Sequence, residues 1–283
     1  MVVADLRPVA SPVWQARLSL DLAVARGRTV IRTRAHEGPL LVQRAFYPEG
    51  DGTAHLYVLH PPGGVVGGDE LDVAVALGPS ARALVTTPAA TKIYRTRAAE
   101  ARLRQTLTVG RDAVLEWLPQ ETIAFGGARA ESVTRVTLED GARYVGWDIV
   151  CLGRPASGDD FASGRLGQRT ELWREKIPLV IDRVSIEAGD AGQRGAWGWA
   201  GRTVYGCLLA TDGTDELVTD IRQAVTPSRE GDLFAVTHVG TVVVCRFLGS
   251  SAEQARRMFT EAWGLVRRHL LSKPACPPRI WAT

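Results

Sequence analysis

Apolar and polar residues alternate with a period of two along most of the chain. In the segment 71–77, apolar residues at every second position alternate with aspartate and alanine, and in 102–109 they alternate mainly with arginine and threonine. This pattern is typical of a β-strand with one buried face. The same reasoning predicts further strands over 55–59, 83–87, 114–117, 133–138, 144–152, 179–186, 204–210, 233–237 and 242–248.

Short turn clusters separate these strands, for example 49–52, 78–80, 110–112 and 139–141. Parallel strands that are joined by helices need crossovers of about a dozen residues or more. The connections over the first two hundred residues are too short to contain them. The spacing therefore favours a mostly β fold over an alternating β–α fold, with β-rich segments over 12–210 and 233–248.

A first helix is predicted near the C-terminus, where the period changes from two to three and four residues. The segment 215–225 places Leu217, Ile221 and Ala224 on one side. Thr214 stands directly before it, and its hydroxyl is a suitable acceptor for a free backbone N–H group of the first turn. We expect this helix to pack on the sheet.

A second and longer helix is predicted over 252–271, where apolar residues recur at steps of three and four. Ser250 or Ser251 is the expected N-cap. Three basic residues, Arg267 among them, lie in the last turn, where positive charge favours the helix macrodipole. Pro274 then prevents continuation of the helix.

Composition supports a single globular domain over 1–283. With 45% hydrophobic and 23% charged residues, the chain is apolar enough to build a core. The formal net charge is only +3 and no run of five or six like charges occurs, so the sequence gives no sign of a nucleic-acid groove. No internal repeat of fixed period is evident.

The sequence predicts a cytoplasmic protein that is not bound to a membrane. The N-terminal segment lacks the basic start and continuous apolar core of a signal peptide. No uncharged apolar stretch approaches the length of a membrane span. The four cysteines contain no C-x-x-C pair and are predicted to be reduced thiols that mostly fill the core.

Recognisable catalytic motifs are missing from the sequence. It contains no G-x-S-x-G, H-E-x-x-H, Walker or G-x-G-x-x-G pattern. The glycine-rich segment 60–69 lacks the Gly-Lys-Ser/Thr ending of a phosphate loop and ends on Asp69. Tight turns and close backbone approach explain its glycines better. The segments 86–95 and 115–123 suggest a protein contact surface more than an active site.

Two acidic residues interrupt apolar strands. Asp148 lies within 144–151 and Asp182 within 179–183. One interpretation turns these carboxylates outward, where Arg183 or another arginine pairs with them. If they face inward, each needs a partner, a proton or a metal ion. Several inward acids along one channel would form an oxygen-rich path for a divalent cation that binds weakly at each position.

Six segments of the sequence carry a resemblance to a known family. Their residues are 38–44 with 46–50, 60–69, 86–95, 115–122, 146–155 and 278–281. Together they resemble the urease accessory proteins known as UreD or UreH, and they occur in the order of that family over nearly the whole chain, from about residue 12 to the C-terminus.

The resemblance implies a fold and a function. The fold is mostly β, an elongated helical, solenoid-like arrangement of many strands with two α-helices near the C-terminus. The function is that of a non-enzymatic nickel metallochaperone scaffold that acts with UreF-type and UreG-type partners on apo-urease, where UreG is the GTPase. The family's nickel-passage acids fall on Asp69, Asp148 and Asp182, which would contact Ni²⁺ transiently. No tightly bound cofactor is implied.

Two alternatives remain open at this stage. The chain could be a pure assembly scaffold whose acids are structural. It could also be a carboxylate-based hydrolase with two of the acids as a catalytic pair. The three acids are 79 and 34 residues apart in the sequence, and no aromatic platform along one face is evident, which makes the hydrolase the weaker alternative.

Overall fold

The computed structural model describes residues 14–97 and 99–282. Residues 12, 13 and 98 of the predicted β-rich segment lie outside the described residues. The strands are β1 (Gln15–Ala25), β2 (Arg28–Glu37), β3 (Leu41–Val42), β4 (Ala54–Leu59), β5 (Gly64–Val65), β6 (Glu70–Leu77), β7 (Arg82–Thr86), β8 (Thr91–Ile93), β9 (Ala101–Val109), β10 (Val114–Trp117), β11 (Thr122–Ala124), β12 (Arg129–Leu138), β13 (Arg143–Leu152), β14 (Arg165–Arg174), β15 (Ile177–Glu187), β16 (Val204–Thr211), β17 (Leu233–Val239) and β18 (Val242–Gly249). The helices are α1 (Ala191–Arg194), α2 (Asp215–Ala224) and α3 (Ala252–Leu271).

Two sheets face each other across a common core. The first has seven strands in the order β15-β14-β12-β9-β6-β1-β2. The second runs β17-β18-β16-β13-β10-β7-β4-β3, and the short strands β5, β8 and β11 extend it alongside β13. The predicted mostly β, solenoid-like architecture is confirmed.

The chain winds through the two sheets in coils rather than through helical crossovers. β6, β7 and β8 form one coil, and β9, β10 and β11 form the next, so that each strand pairs in parallel with its counterpart one coil later. In the seven-stranded sheet, Glu70 is in register with Arg102 and Arg102 with Glu131. Short turns therefore suffice for parallel pairing, because two further strands of the coil make up the crossover.

Antiparallel hairpins end the parallel stack of the first sheet on both sides. β1 pairs in parallel with β6 but antiparallel with β2, and β14 pairs in parallel with β12 but antiparallel with β15. The strand β14 was not predicted. Its sequence over 165–174 lacks clean alternation because glutamine and threonine occupy inward positions.

Helices α2 and α3 cover the outer face of the second sheet. Both predicted N-caps are confirmed, since the Thr214 hydroxyl accepts the N–H of Leu217 and the Ser251 hydroxyl accepts the N–H of Gln254. A second core forms there around Trp147, Phe259 and Trp263. Val218 rather than Ala224 completes the buried side of α2, because Ala224 falls on the exposed side of the last turn.

Arg267 does not serve the helix end as predicted but turns into the protein, where its side chain is 1% exposed. The guanidinium donates to both carboxylate oxygens of Glu116 on β10 at 3.0 Å and to Glu49 at 2.7 Å. The indole N–H of Trp263, one helical turn earlier, donates to the same Glu116 carboxylate at 2.6 Å. This face of α3 lies against β10, so the arginine meets a buried acid instead of solvent. We call these residues the Arg267 clamp.

Two further expectations can be compared with the structure. The four cysteines are free thiols, with Cys207 and Cys245 buried and Cys151 and Cys276 half-buried. Among the described helices, none is both long enough and apolar enough to span a membrane. The segment 189–201, between β15 and β16, contains the single-turn helix α1.

Candidate functional site

A cavity of about 170 Å³ lies between the two sheets. Its apolar walls come from both sheets, and the segment 87–92 lines it together with residues of the loop that follows β10. Its lining includes His60, Gln105, Gln120, Ser132 and Asp148. Parts of 86–95 and of 115–123, interpreted from sequence as a protein contact surface, thus line this cavity.

A row of polar side chains crosses the inner face of the seven-stranded sheet. Gln105 on β9 is in register with Thr134 on β12, Thr134 with Thr170 on β14, and Thr170 with Asp182 on β15. The Thr134 hydroxyl donates to Gln105 Oε1 at 3.0 Å. Neighbouring strands lie about 4.8 Å apart, so these groups form a continuous polar line across the sheet.

The facing sheet carries a second polar row. Asp148 on β13 is in register with Cys207 on β16, and Cys207 with Arg246 on β18. The two rows are joined at two points. Thr170 Oγ1 donates to Asp148 Oδ2 at 3.1 Å, and Arg246 Nη2 donates to Asp182 Oδ1 at 2.7 Å. The joined rows, which we call the polar line, extend from the cavity wall at Asp148 to the sheet edge at Asp182.

Asp148 is an acid of the polar line whose pKa is raised. Burial raises its pKa to about 7, although hydrogen bonds from Thr170 and Gln168 oppose the shift, and the negative charge of Asp182 adds to it. Near neutral pH the carboxyl group can therefore gain or lose a proton with little change in free energy.

Asp182 lies at the outer end of the polar line, where its side chain is 13% exposed. Besides the ion pair with Arg246, its Oδ2 accepts a hydrogen bond from the Tyr205 hydroxyl at 3.0 Å. Of the two sequence-based alternatives, the inward orientation is found. Arg183 is not the partner, because the next residue along a strand points to the opposite face.

Asp69 lies away from the polar line and is 3% exposed. Its carboxylate accepts the backbone N–H of Trp14 at 3.1 Å and that of Val66 at 2.9 Å. Its charge acts on the cavity residue His60, whose pKa is lowered by burial while the charge of Asp69 opposes that shift. The structure thus brings Asp148 and Asp182 together and gives Asp69 a role in fastening the glycine-rich segment.

The glycine-rich segment needs its glycines for close packing. A Cβ atom on Gly64 would collide with the ring of Tyr94, and one on Gly67 would collide with Thr96 Oγ1. Gly63 and Gly68 have φ angles of +73° and +92°, which side-chain-bearing residues rarely adopt. The turn and close-approach interpretation of this segment agrees with this geometry.

Replacing Asp69 with alanine should lower the free energy of unfolding by about 2 kcal/mol, because two partly buried N–H groups lose their acceptor. Asp72→Ala, three residues later on the outer face of β6, should lower it by less than about 1 kcal/mol, since its ion pairs are largely exposed. Urea denaturation of both variants measures the difference. Equal effects would show that Asp69 does not fasten the segment.

Several members of the polar line were missed in the sequence. Gln105, Thr170, Cys207 and Arg246 belong to no catalytic or binding motif. A signal existed nonetheless for Gln105 and Arg246, since each occupies an inward position of an alternating strand, where an apolar residue is expected. Among residues 14–97 and 99–282, no three histidine, cysteine, aspartate or glutamate side chains converge into a group that could hold a metal ion.

Comparison with known families agrees with the resemblance drawn from the sequence. The family model described as UreD urease accessory protein matches residues 15–282. The chain belongs to the UreD family. Urease accessory protein UreD of Alkalilimnicola ehrlichii is 42% identical to it over 283 residues, covering 99% of this chain and 96% of the relative. The UreD protein of Klebsiella aerogenes is 40% identical over 270 residues, covering 95% of this chain and 97% of the relative.

The segments that carry the UreD resemblance converge in space. Five of the six contribute residues to the cavity lining, namely Leu40, His60 with Gly63, the segment 87–92, Trp117 with Gln120 and Thr122, and Asp148. The sixth segment lies behind the cavity wall, where the indole N–H of Trp281 donates to Thr86 Oγ1 at 2.9 Å. The UreD-like features of the sequence therefore describe one region of the fold.

Proposed function

We propose that this UreD-family protein is a nickel metallochaperone scaffold in urease maturation. In this proposal it acts in the cytoplasm, forms a complex with UreF-type and UreG-type partners, docks on apo-urease and conducts Ni²⁺ during GTP-dependent assembly of the metallocentre. It performs no catalysis of its own. Family membership supports the broader role of a urease accessory protein.

The observation that carries the nickel proposal is the position of Asp148. This acid lies on the wall of the cavity that the UreD-like segments surround, and it begins the polar line that leads to Asp182. Carboxylate, hydroxyl and amide oxygens are ligands that a divalent cation accepts. Because the acids occur singly rather than in groups, each would hold the ion weakly and let it leave.

Asp69 has a different part in the proposal. Its carboxylate is occupied by two backbone N–H groups, so it would act on the ion by charge rather than by coordination. It also keeps the segment that carries His60 in place at the cavity. We therefore expect Asp69 variants to impair activation through loss of structure as well as through loss of charge.

Asp148→Asn and Asp182→Asn should each lower urease activation at least tenfold while the complex with the partner proteins still assembles. Asparagine keeps the size of the side chain but removes the charge that attracts the cation. The assay is reconstitution of apo-urease with nickel, bicarbonate, GTP and the partner proteins, with and without this chain. Asp21→Asn, an exposed acid on the outer face of β1, is the matched control and should activate normally.

The same assay separates the competing functions. If Asp148→Asn and Asp182→Asn both activate urease normally, the chain acts as a pure assembly scaffold and its acids are structural. Activation that proceeds equally without the chain would remove the proposed function altogether.

A further inference from the structure

An arginine occupies the outer end of the polar line. Arg246 donates from Nη2 to Asp182 Oδ1 at 2.7 Å, and the Tyr205 hydroxyl occupies Oδ2 at 3.0 Å. Both oxygens of Asp182 are therefore engaged by donors. A cation that arrives along the polar line finds a positive charge at this position and no free carboxylate oxygen.

The positive charge of Arg246 is permanent. A guanidinium group keeps its proton throughout the physiological pH range. The arginine therefore cannot release Asp182 by losing a proton; it can do so only by moving away. Its side chain is 42% exposed, so the guanidinium has solvent on one side into which it can swing.

The group next to Asp148 in the second sheet is a cysteine and not an acid. Cys207 lies between Asp148 and Arg246 in the inner row of this sheet, and its side chain is buried. Beyond Asp148, the next negative charge along the line is the one that Arg246 holds.

We propose that Arg246 is a displaceable gate that keeps Asp182 unavailable to divalent cations until its guanidinium swings outward. This inference rests on the proposed function, since it assigns the control of the same ion path. With the gate closed, the isolated chain presents Asp148 as its available acid and binds a divalent cation weakly. With the gate open, Asp148 and Asp182 are both available.

Removing the charge of the gate should therefore tighten cation binding. Calorimetric titration of the purified full chain with NiCl2 at pH 7.5 should show at least tenfold tighter binding for Arg246→Gln than for the wild type, because the glutamine side chain is shorter and carries no positive charge. Arg183→Gln, which removes a charge from the outer face of the same strand as Asp182, should bind like the wild type. The double variant Asp182→Asn with Arg246→Gln should lose the gain.

A measurement on the unaltered protein keeps the inference testable if Arg246→Gln does not fold. In a ¹⁵N-labelled sample, the Nε–H signal of Arg246 should broaden before those of the other arginines as paramagnetic Ni²⁺ is added. Wild-type affinity in Arg246→Gln, a gain that survives Asp182→Asn, or an unaffected Arg246 signal would each overturn the gate.

The gate and the proposed function can fail separately. If Asp148→Asn abolishes urease activation but Arg246→Gln binds nickel like the wild type, the gate is wrong and the passage stands. If Arg246→Gln binds nickel tightly while Asp148→Asn and Asp182→Asn activate urease normally, the passage is wrong, although the arginine still controls access to Asp182.

Discussion

Replacing Arg267 with methionine is expected to lower the free energy of unfolding by about 3–5 kcal/mol, the usual effect of removing one partner from a buried ion pair. The substitution leaves Glu116 and Glu49 without the guanidinium that pairs with both. Burial raises the pKa of Glu116 and the charge of Arg267 opposes that shift, so the variant loses the charge that opposes protonation of Glu116. Urea denaturation at pH 7 measures the loss.

Arg268→Met is the matched control, since it removes the same charge from the exposed neighbouring position of α3. It should change the free energy of unfolding by no more than about 0.5 kcal/mol. Replacing Glu116 with leucine in the Arg267→Met background should restore part of the stability, because a buried pair can be exchanged for apolar packing. Equal effects of the two arginine substitutions would contradict the clamp.

The second large effect concerns the pH dependence of stability. The pKa of Asp148 is raised from 3.8 to about 7 in the folded protein, so between these values the folded chain holds a proton that the unfolded chain has lost. The contribution of Asp148 to the free energy of unfolding is fully present below about pH 4 and is lost as the pH rises through 7. Over that range the free energy of unfolding should fall by about 2–4 kcal/mol on account of Asp148.

Asp148→Asn isolates this contribution from all other titrating groups. Asparagine resembles the protonated acid at every pH, so the variant should match the wild type at pH 4 and exceed it in stability at pH 8. The measurement is the difference between the two unfolding free energies, taken in urea at several pH values. A difference that does not change with pH would show that Asp148 titrates with an ordinary pKa.

Glu49 provides an internal contrast. Burial raises its pKa, but hydrogen bonds from His55 and Arg267 outweigh burial and lower the pKa to about 2. Its contribution to stability is therefore present above the unfolded value of 4.5 and lost as the pH falls toward 2. The two buried acids make the protein sensitive to pH in opposite directions because only Glu49 has a cation beside it.

Much of the fold could be predicted from local pattern, because alternation and helical period report which face of an element is buried. The boundaries of α3 agree with the structure, as do those of β10. The coils were not predictable as a repeat. Four in-register positions on successive strands of the first sheet are 32, 29 and 36 residues apart, namely Glu70, Arg102, Glu131 and Gly167. They share no residue type throughout, so no fixed period appears in the sequence.

The candidate site was only partly accessible from sequence. An acid inside an apolar strand signals a buried charge, which led to Asp148 and Asp182. Their partners could not be predicted, because Thr170 and Arg246 lie 22 and 64 residues from the acids they contact and meet them only through the folding of one sheet over the other. Arg267 was misassigned for the same reason: its partner Glu116 is 151 residues away.

The hairpins at the two ends of the first sheet affect the association of molecules through sheet edges at high concentration. A parallel stack with an open end could add further strands and grow by joining one molecule to the next. Here the last strand at one end, β2, carries Arg28, Arg32 and Arg34 along its length. Like charges would face each other if two such edges met. Polymerisation through this edge is therefore disfavoured at neutral pH and becomes less so as salt screens the arginines.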